Sequence, residues 1–213
     1  MESKKMFETL VNSAKGGVYV IAEACDNHMG SIEMAKALCR AAKSAGADAV
    51  KFQHHLAYEE MLKEGDMSDN FDEHLYDFLE TNALNLDQHH KLRKYCDEIG
   101  ITYLCTPFSL KAAHEVSELV PFYKIGSGEF QDLWFIDGLS KIGKPVLFSS
   151  GMSSYSELTD NVRYLRQSGL NFAILNCLSE YPPNFDDMNL RVISKLISDY
   201  PDIIIGHSDH TQT

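Results

Sequence analysis

The feature that most constrains this chain is a series of apolar runs that do not alternate. Residues 18–23, 48–53, 101–106, 122–125, 146–150, 171–177 and 203–206 are apolar along most of their length rather than at every second position. A strand of that kind is covered on both faces, as in parallel α/β sheets. The intervening segments carry helical spacing. Ser31 opens a helix whose apolar positions are Ile32, Met34, Ala35, Leu38 and Cys39 and which stops near Gly46. Further helices are predicted over 72–81, 86–99, 109–119, 132–142, 156–167 and 186–199. The stretch 18–53 has the size of one parallel crossover.

The choice lies between an open doubly wound sheet and an eight-stranded β/α barrel. No Gly-x-Gly-x-x-Gly fingerprint follows the first strand, which disfavours a dinucleotide fold. Polar residues recur at or just beyond the strand ends: Glu23, Lys51 with Gln53, Thr106, Lys124 with Ser127 and Glu129, Ser149, Ser179 with Tyr181, then Ser208, Asp209 and His210. Convergence of that kind is what a barrel mouth requires. A β/α barrel typically needs about 250 residues. The 213 residues here are therefore expected to hold seven of eight β/α units, with an N-terminal extension over 1–17 and a barrel over 18–213 that stops before strand eight.

The formal net charge of −12 argues against nucleic acid or an acidic membrane surface as partner. No apolar run approaches a membrane span, and residues 1–15 lack the pattern of a secretory signal, so a cytoplasmic location is expected. Five cysteines, without a C-x-x-C pair, suit reduced and mostly buried thiols. Cys25, Cys105 and Cys177, near strand ends, are read as buried small hydrophobes.

Lys51 and Lys124 stand in apolar strands at related positions, where lysine is depleted. With Thr106, Ser127, Ser149 and Ser208 they describe a pocket of cations and hydroxyls suited to phosphate or carboxylate. Glu23 and Glu129 share it and can orient hydroxyls or move protons. A lysine–glutamate network that merely holds the strand ends is the structural alternative. Of the nine histidines, His28 and His210 lie on active-face loops. His54 and His55 line the long 54–85 loop, and His74, His89, His90 and His114 read as solvated.

Several blocks occur in an order that resembles the sialic acid synthase family: Ile21-Ala-Glu23 with Asn27-His28-x-Gly30, residues 46–53, Ala83-Leu-Asn85, Thr106-Pro-Phe108, residues 123–129, Gly143-Lys-Pro145 with Ser149-Ser-Gly-Met152, Cys177 to Pro182, and residues 206–211. The resemblance runs from about residue 18 to the end. It implies condensation of phosphoenolpyruvate with an N-acylated amino sugar of the N-acetylmannosamine type. By this resemblance Lys51, Thr106, Lys124, Ser127, Ser149, Ser179 and Ser208 hold phosphoenolpyruvate, and Asn70, Glu129 and Tyr181 hold the sugar. Glu23, Lys51, Lys124 and Glu129 serve catalysis, and His210 is one ligand of a divalent metal, Mn2+ or Mg2+, whose other histidine ligand falls in the missing strand-eight region. Ser179 departs from the family's usual asparagine. A homodimer of the full-length protein is implied. Two rivals stay open: a Schiff-base aldolase using Lys51 or Lys124, and a non-catalytic sugar-acid binding protein.

Overall fold

A computed structural model of the chain describes residues 2–64 and 73–212. It opens with helix α1 (Glu2–Ser13) and a short 3-10 turn (Lys15–Gly17), followed by β1 (Ile21–Glu23), α2 (Ile32–Ala45), β2 (Ala49–His54), α3 (Ala57–Glu60), α4 (Leu75–Asn82), α5 (Leu86–Ile99), β3 (Thr102–Pro107) and α6 (Leu110–Val116). Then come β4 (Tyr123–Ile125), α7 (Leu133–Ile142), β5 (Val146–Ser149), α8 (Tyr155–Gln167), β6 (Phe172–Cys177), α9 (Arg191–Asp199) and β7 (Ile205–Ser208). Two compact units result, Ala14–Tyr123 and Met1–Ser13 with Lys124–Thr213.

In the first unit β1, β2 and β3 form a parallel sheet in that order, with Glu23 opposite Lys51, Lys51 opposite Leu104 and Gln53 opposite Thr106. Partners in register and residues two apart share a face. Glu23, Lys51, Gln53, Leu104 and Thr106 therefore lie on one face, and Val50, Phe52, His54, Tyr103 and Cys105 on the other. On that second face Phe52 stacks on Tyr103 with centroids 5.9 Å apart. The ends of α5 are set by its own residues: Asn85 and Gln88 form a reciprocal capping box, and Gly100, at φ 72°, closes the helix in the left-handed conformation a Cβ would disfavour.

In the second unit β4, β5, β6 and β7 form a sheet in sequence order, with β5, β6 and β7 parallel. Ser149 pairs with Leu175 and Leu175 with Gly206, while Cys177 pairs with Ser208. Ser149, Leu175, Cys177, Gly206 and Ser208 thus share a face. Phe130, Ile136, Leu139, Phe148 and Leu165 are buried in its core, Phe130 and Phe148 with ring centroids 5.7 Å apart. Among the described residues no helix is long and apolar enough to cross a membrane.

Several sequence expectations need correction. The first strand begins at Ile21 rather than Val18, because the Val20 N–H donates to Asp48 Oδ2 and both Val18 and Val20 are exposed. The expected helix over 186–199 is a 3-10 turn (Phe185–Asp187) and then α9, separated by Asn189 at φ 45°. Strand seven runs two residues later than expected. The N-terminal extension contains α1, which the apolar pattern did not announce. His89 is buried, not solvated, with Nδ1 2.5 Å from the Tyr103 hydroxyl, and His54 is the last residue of β2 rather than part of a loop.

Candidate active site

The first unit gathers one polar cluster at the C-terminal ends of its strands. Lys51 lies mid-strand and is only 5% exposed, so its charge needs partners. It has them: Nζ lies 2.5 Å from Glu23 Oε2 and donates to Thr106 Oγ1 at 2.9 Å. Glu23 is half exposed, and its Oε1 accepts the Cys25 backbone N–H at 2.9 Å. The exposed edge of this ion pair is therefore the Glu23 carboxylate, with Lys51 behind it.

Behind Glu23 the loop 24–30 folds back on itself, and Asp26 and His28 lie buried within it. His28 Nδ1 accepts the Gly30 N–H at 3.1 Å, which places the ring proton on Nε2, 3.5 Å from Asp26 Oδ1. Burial pushes the His28 pKa down, so the ring is neutral at neutral pH. Burial also holds the Cys25 thiol up at about 11 and that of Cys105 at about 12, so neither is a thiolate nucleophile.

The second unit gathers another cluster. Lys124 is buried in β4, and its Nζ donates to the Ile125 carbonyl at 2.8 Å. Ser149 is 2% exposed and its Oγ has no hydrogen-bond partner among the described residues. Next to it, Gly151 makes room that no other residue would. A Cβ there would lie 2.6 Å from Ser127 Oγ and 3.2 Å from Cys177 Sγ, and would collide with Ser179 Oγ. Two hydroxyls and a thiol thus converge over bare backbone, with Ser127 Oγ donating to Cys177 Sγ at 3.5 Å. Glu129 folds over Gly126, where a Cβ would meet Oε2 at 2.7 Å.

After β7, His210 Nδ1 lies 2.9 Å from the Leu178 carbonyl and its ring stacks on Tyr181 at 4.0 Å. The carbonyl can only accept, so Nδ1 carries the proton and the lone pair of a neutral ring is on Nε2. That orientation suits a metal ligand held by a backbone carbonyl. One ligand is not a site, however: among the described residues no group of three or more His, Cys, Asp or Glu side chains could hold a metal ion.

Within the first unit the structure brings together Glu23, Lys51 and Thr106. Within the second it brings Ser127 to Ser179 and Tyr181 to His210, and it puts Ser149 and Ser208 on one sheet face. Asn70 lies outside the described residues. Cys25 and Cys177 are partly exposed, not buried hydrophobes. Sequence reasoning missed the Gly151 cradle and the role of Cys177 in it. It also missed His55, whose ring joins Asp26, Gln53 and Glu60. Polar residues adjoining two strand ends were the available signal.

Fold and clusters define a parallel α/β protein with buried lysines and hydroxyls at strand ends, the chemistry of an anion site. Residues 38–213 match the NeuB family, and the chain belongs to it. It is 33% identical over 202 residues to the human N-acetylneuraminate-9-phosphate synthase, covering 90% of this chain and 55% of that one. It is 31% identical to the N,N'-diacetyllegionaminic acid synthase of Campylobacter jejuni, covering 91% of this chain and 60% of the relative. Among solved structures it resembles the N-acetylneuraminic acid synthetase of Leptospira borgpetersenii in complex with citrate, at TM-score 0.81 and 28% identity, over 91% of this chain and 65% of that one. The chain thus spans little more than half the length of the curated relatives it matches.

Proposed function

We propose that this protein condenses phosphoenolpyruvate with an N-acylated amino sugar to give a nonulosonic acid and phosphate, on a fold of the β/α-barrel type. A cytoplasmic homodimer belongs to the same proposal. C3 of phosphoenolpyruvate forms the new C–C bond with the aldehyde carbon of the open-chain sugar, water adds at C2, and phosphate leaves. Lys51 and Lys124 neutralise the carboxylate and phosphate, with Thr106, Ser127, Ser149, Ser179 and Ser208 donating to their oxygens. Glu23 and Glu129 orient the water or the sugar hydroxyls, and Asn70 and Tyr181 hold the sugar. A divalent metal would take His210 as a ligand and polarise the aldehyde. The described residues do not complete a site for it, so no step here depends on one.

Ser149 carries this reading. A buried hydroxyl without a partner costs free energy, and it is unusual enough in a native protein to call for an explanation. It shares a sheet face with Ser208, next to the hydroxyls gathered over Gly151. An oxyanion ligand would satisfy it. The relatives named above are synthases of different sugar acids, so the test uses more than one amino sugar.

The test is calorimetric binding of phosphoenolpyruvate to wild type, Lys51→Ala and Lys124→Ala, followed by phosphate release on adding N-acetylmannosamine, its 6-phosphate or a diacetylated amino sugar. Each lysine variant should weaken binding by roughly tenfold or more, the loss expected for one partner of a desolvated charge. Binding unchanged in both variants refutes the anion-site reading. A borohydride-trapped adduct on either lysine would instead support the Schiff-base aldolase.

A further inference from the structure

The loop after β1 carries backbone strain that the proposed chemistry does not explain. Cys25 and Met29 sit at φ 48° and 47°, where non-glycine residues are uncommon and which the surroundings must enforce. Cys25 is also the residue whose N–H orients Glu23, and Glu23 in turn holds Lys51. Something must hold the loop in that shape.

Buried His28 packs on Phe52, and a second buried side chain, Asp26, ties the loop to the rest of the unit. Asp26 Oδ2 lies 3.3 Å from His55 Nε2. The His55 ring is fixed on every side: Nδ1 donates to Glu60 Oε2 at 2.8 Å, Nε2 to Gln53 Oε1 at 2.9 Å, and the ring stacks on Phe108 at 4.2 Å and 17°. Glu60 is itself anchored, because its Oε1 accepts the Leu56 N–H at 2.5 Å. We propose that His55 is a positioning residue. Its ring clamps Asp26 to the end of β2 and to α3, and so holds the strained loop whose Cys25 amide aims Glu23 at Lys51. Its effect on turnover rests on the reading of Glu23 and Lys51 above; its effect on the loop does not.

The geometry also fixes the charge. Both ring nitrogens face only acceptors, and a neutral imidazole has a single N–H, so only the imidazolium satisfies Glu60, Gln53 and Asp26 together. The titratable groups facing it are Asp26 and His28 from the loop, Glu60 from α3 and His89 from α5. His28 and His89 are kept neutral by burial and add no competing charge at neutral pH. Burial works against the His55 charge, but the Asp26 and Glu60 carboxylates outweigh it and raise the pKa to about 9.

The experiment compares wild type with His55→Phe, which keeps the stacked ring, and with Glu60→Gln, which leaves the ring in place and weakens its charge. By NMR the wild-type ring should titrate near 9 and the Glu60→Gln ring lower. Amide hydrogen exchange at Cys25, Asn27 and Met29 should quicken about tenfold in His55→Phe, as expected for the loss of a hydrogen bond to a charged group. In the turnover assay kcat should fall about tenfold while KM for phosphoenolpyruvate stays within about threefold, because Glu23 is displaced while Thr106 still holds Lys51. A wild-type ring that titrates near 6.5, or loop exchange unchanged in both variants, overturns the proposal. If wild type shows no turnover at all, the function proposed above fails, and titration and exchange still decide the role of His55.

Discussion

Replacing Ser149 by alanine should move stability and binding in opposite directions. The wild-type hydroxyl is 2% exposed and has no partner among the described residues. Burying an unsatisfied donor costs about 1–3 kcal/mol, whereas deleting one oxygen from a packed site forfeits roughly 0.5 kcal/mol of dispersion contacts. The net is a stabilisation of about 1 kcal/mol without ligand, which for a domain of this size raises Tm by about 2–4 °C. With phosphoenolpyruvate the sign reverses. Loss of a hydrogen bond to a charged group costs about 1.5–3 kcal/mol, or roughly 10- to 150-fold in Kd. Scanning calorimetry without ligand and titration calorimetry with it read the two effects separately. A lowered Tm with unchanged Kd would mean that the hydroxyl serves the fold, and that the inference from its lack of a partner is wrong.

Gly151→Ala should weaken phosphoenolpyruvate binding by roughly 10- to 100-fold with Tm nearly unchanged, because the new methyl drives the Ser127 and Ser179 hydroxyls out of the cradle, yet both can swing aside; equal affinity in a titration would place the ligand elsewhere. Stability should fall as pH rises from 6.5 to 9. The His55 proton is held more tightly folded than unfolded, so its contribution is complete below the ordinary histidine pKa and gone above about 9, a change of roughly 3 kcal/mol. Denaturation at several pH values should show that decline in wild type and a flatter limb in His55→Phe.

The anion-site candidates were legible in sequence because charge inside an apolar run contradicts its surroundings. Lys51 and Lys124 stood out for that reason, and both are buried in strands. The clamp was not legible. Asp26, His55 and Glu60 each look ordinary for a loop or a short helix, and only tertiary folding sets Asp26 beside His55 across 29 positions of chain. His89 was misread because its neighbours His90 and Lys91 are polar, although position 89 faces the sheet and meets Tyr103. Gly151 was visible as a turn residue, but the reason for it, the Ser127, Cys177 and Ser179 heads converging there, depends on the ends of two other strands, β4 and β6.

Strand boundaries were the weakest expectation, yet the error that mattered least shows what the site depends on. Strand seven was expected over 203–206 and runs over Ile205–Ser208, a shift of two residues. Side chains alternate with period two, so a shift of two keeps every residue on its face, while a shift of one would exchange them all. Ser208 accordingly still shares the face of Gly206 and, through the ladder, of Cys177 and Ser149. In the other sheet the same parity aligns Glu23, Lys51, Gln53 and Thr106. Within each sheet, parity along the strand and parallel register across it set these polar groups on one face, and the parity is written in the spacing of the residues. How each group is then held, by Thr106, by a loop amide or by a clamped imidazolium, depends on contacts that spacing does not encode.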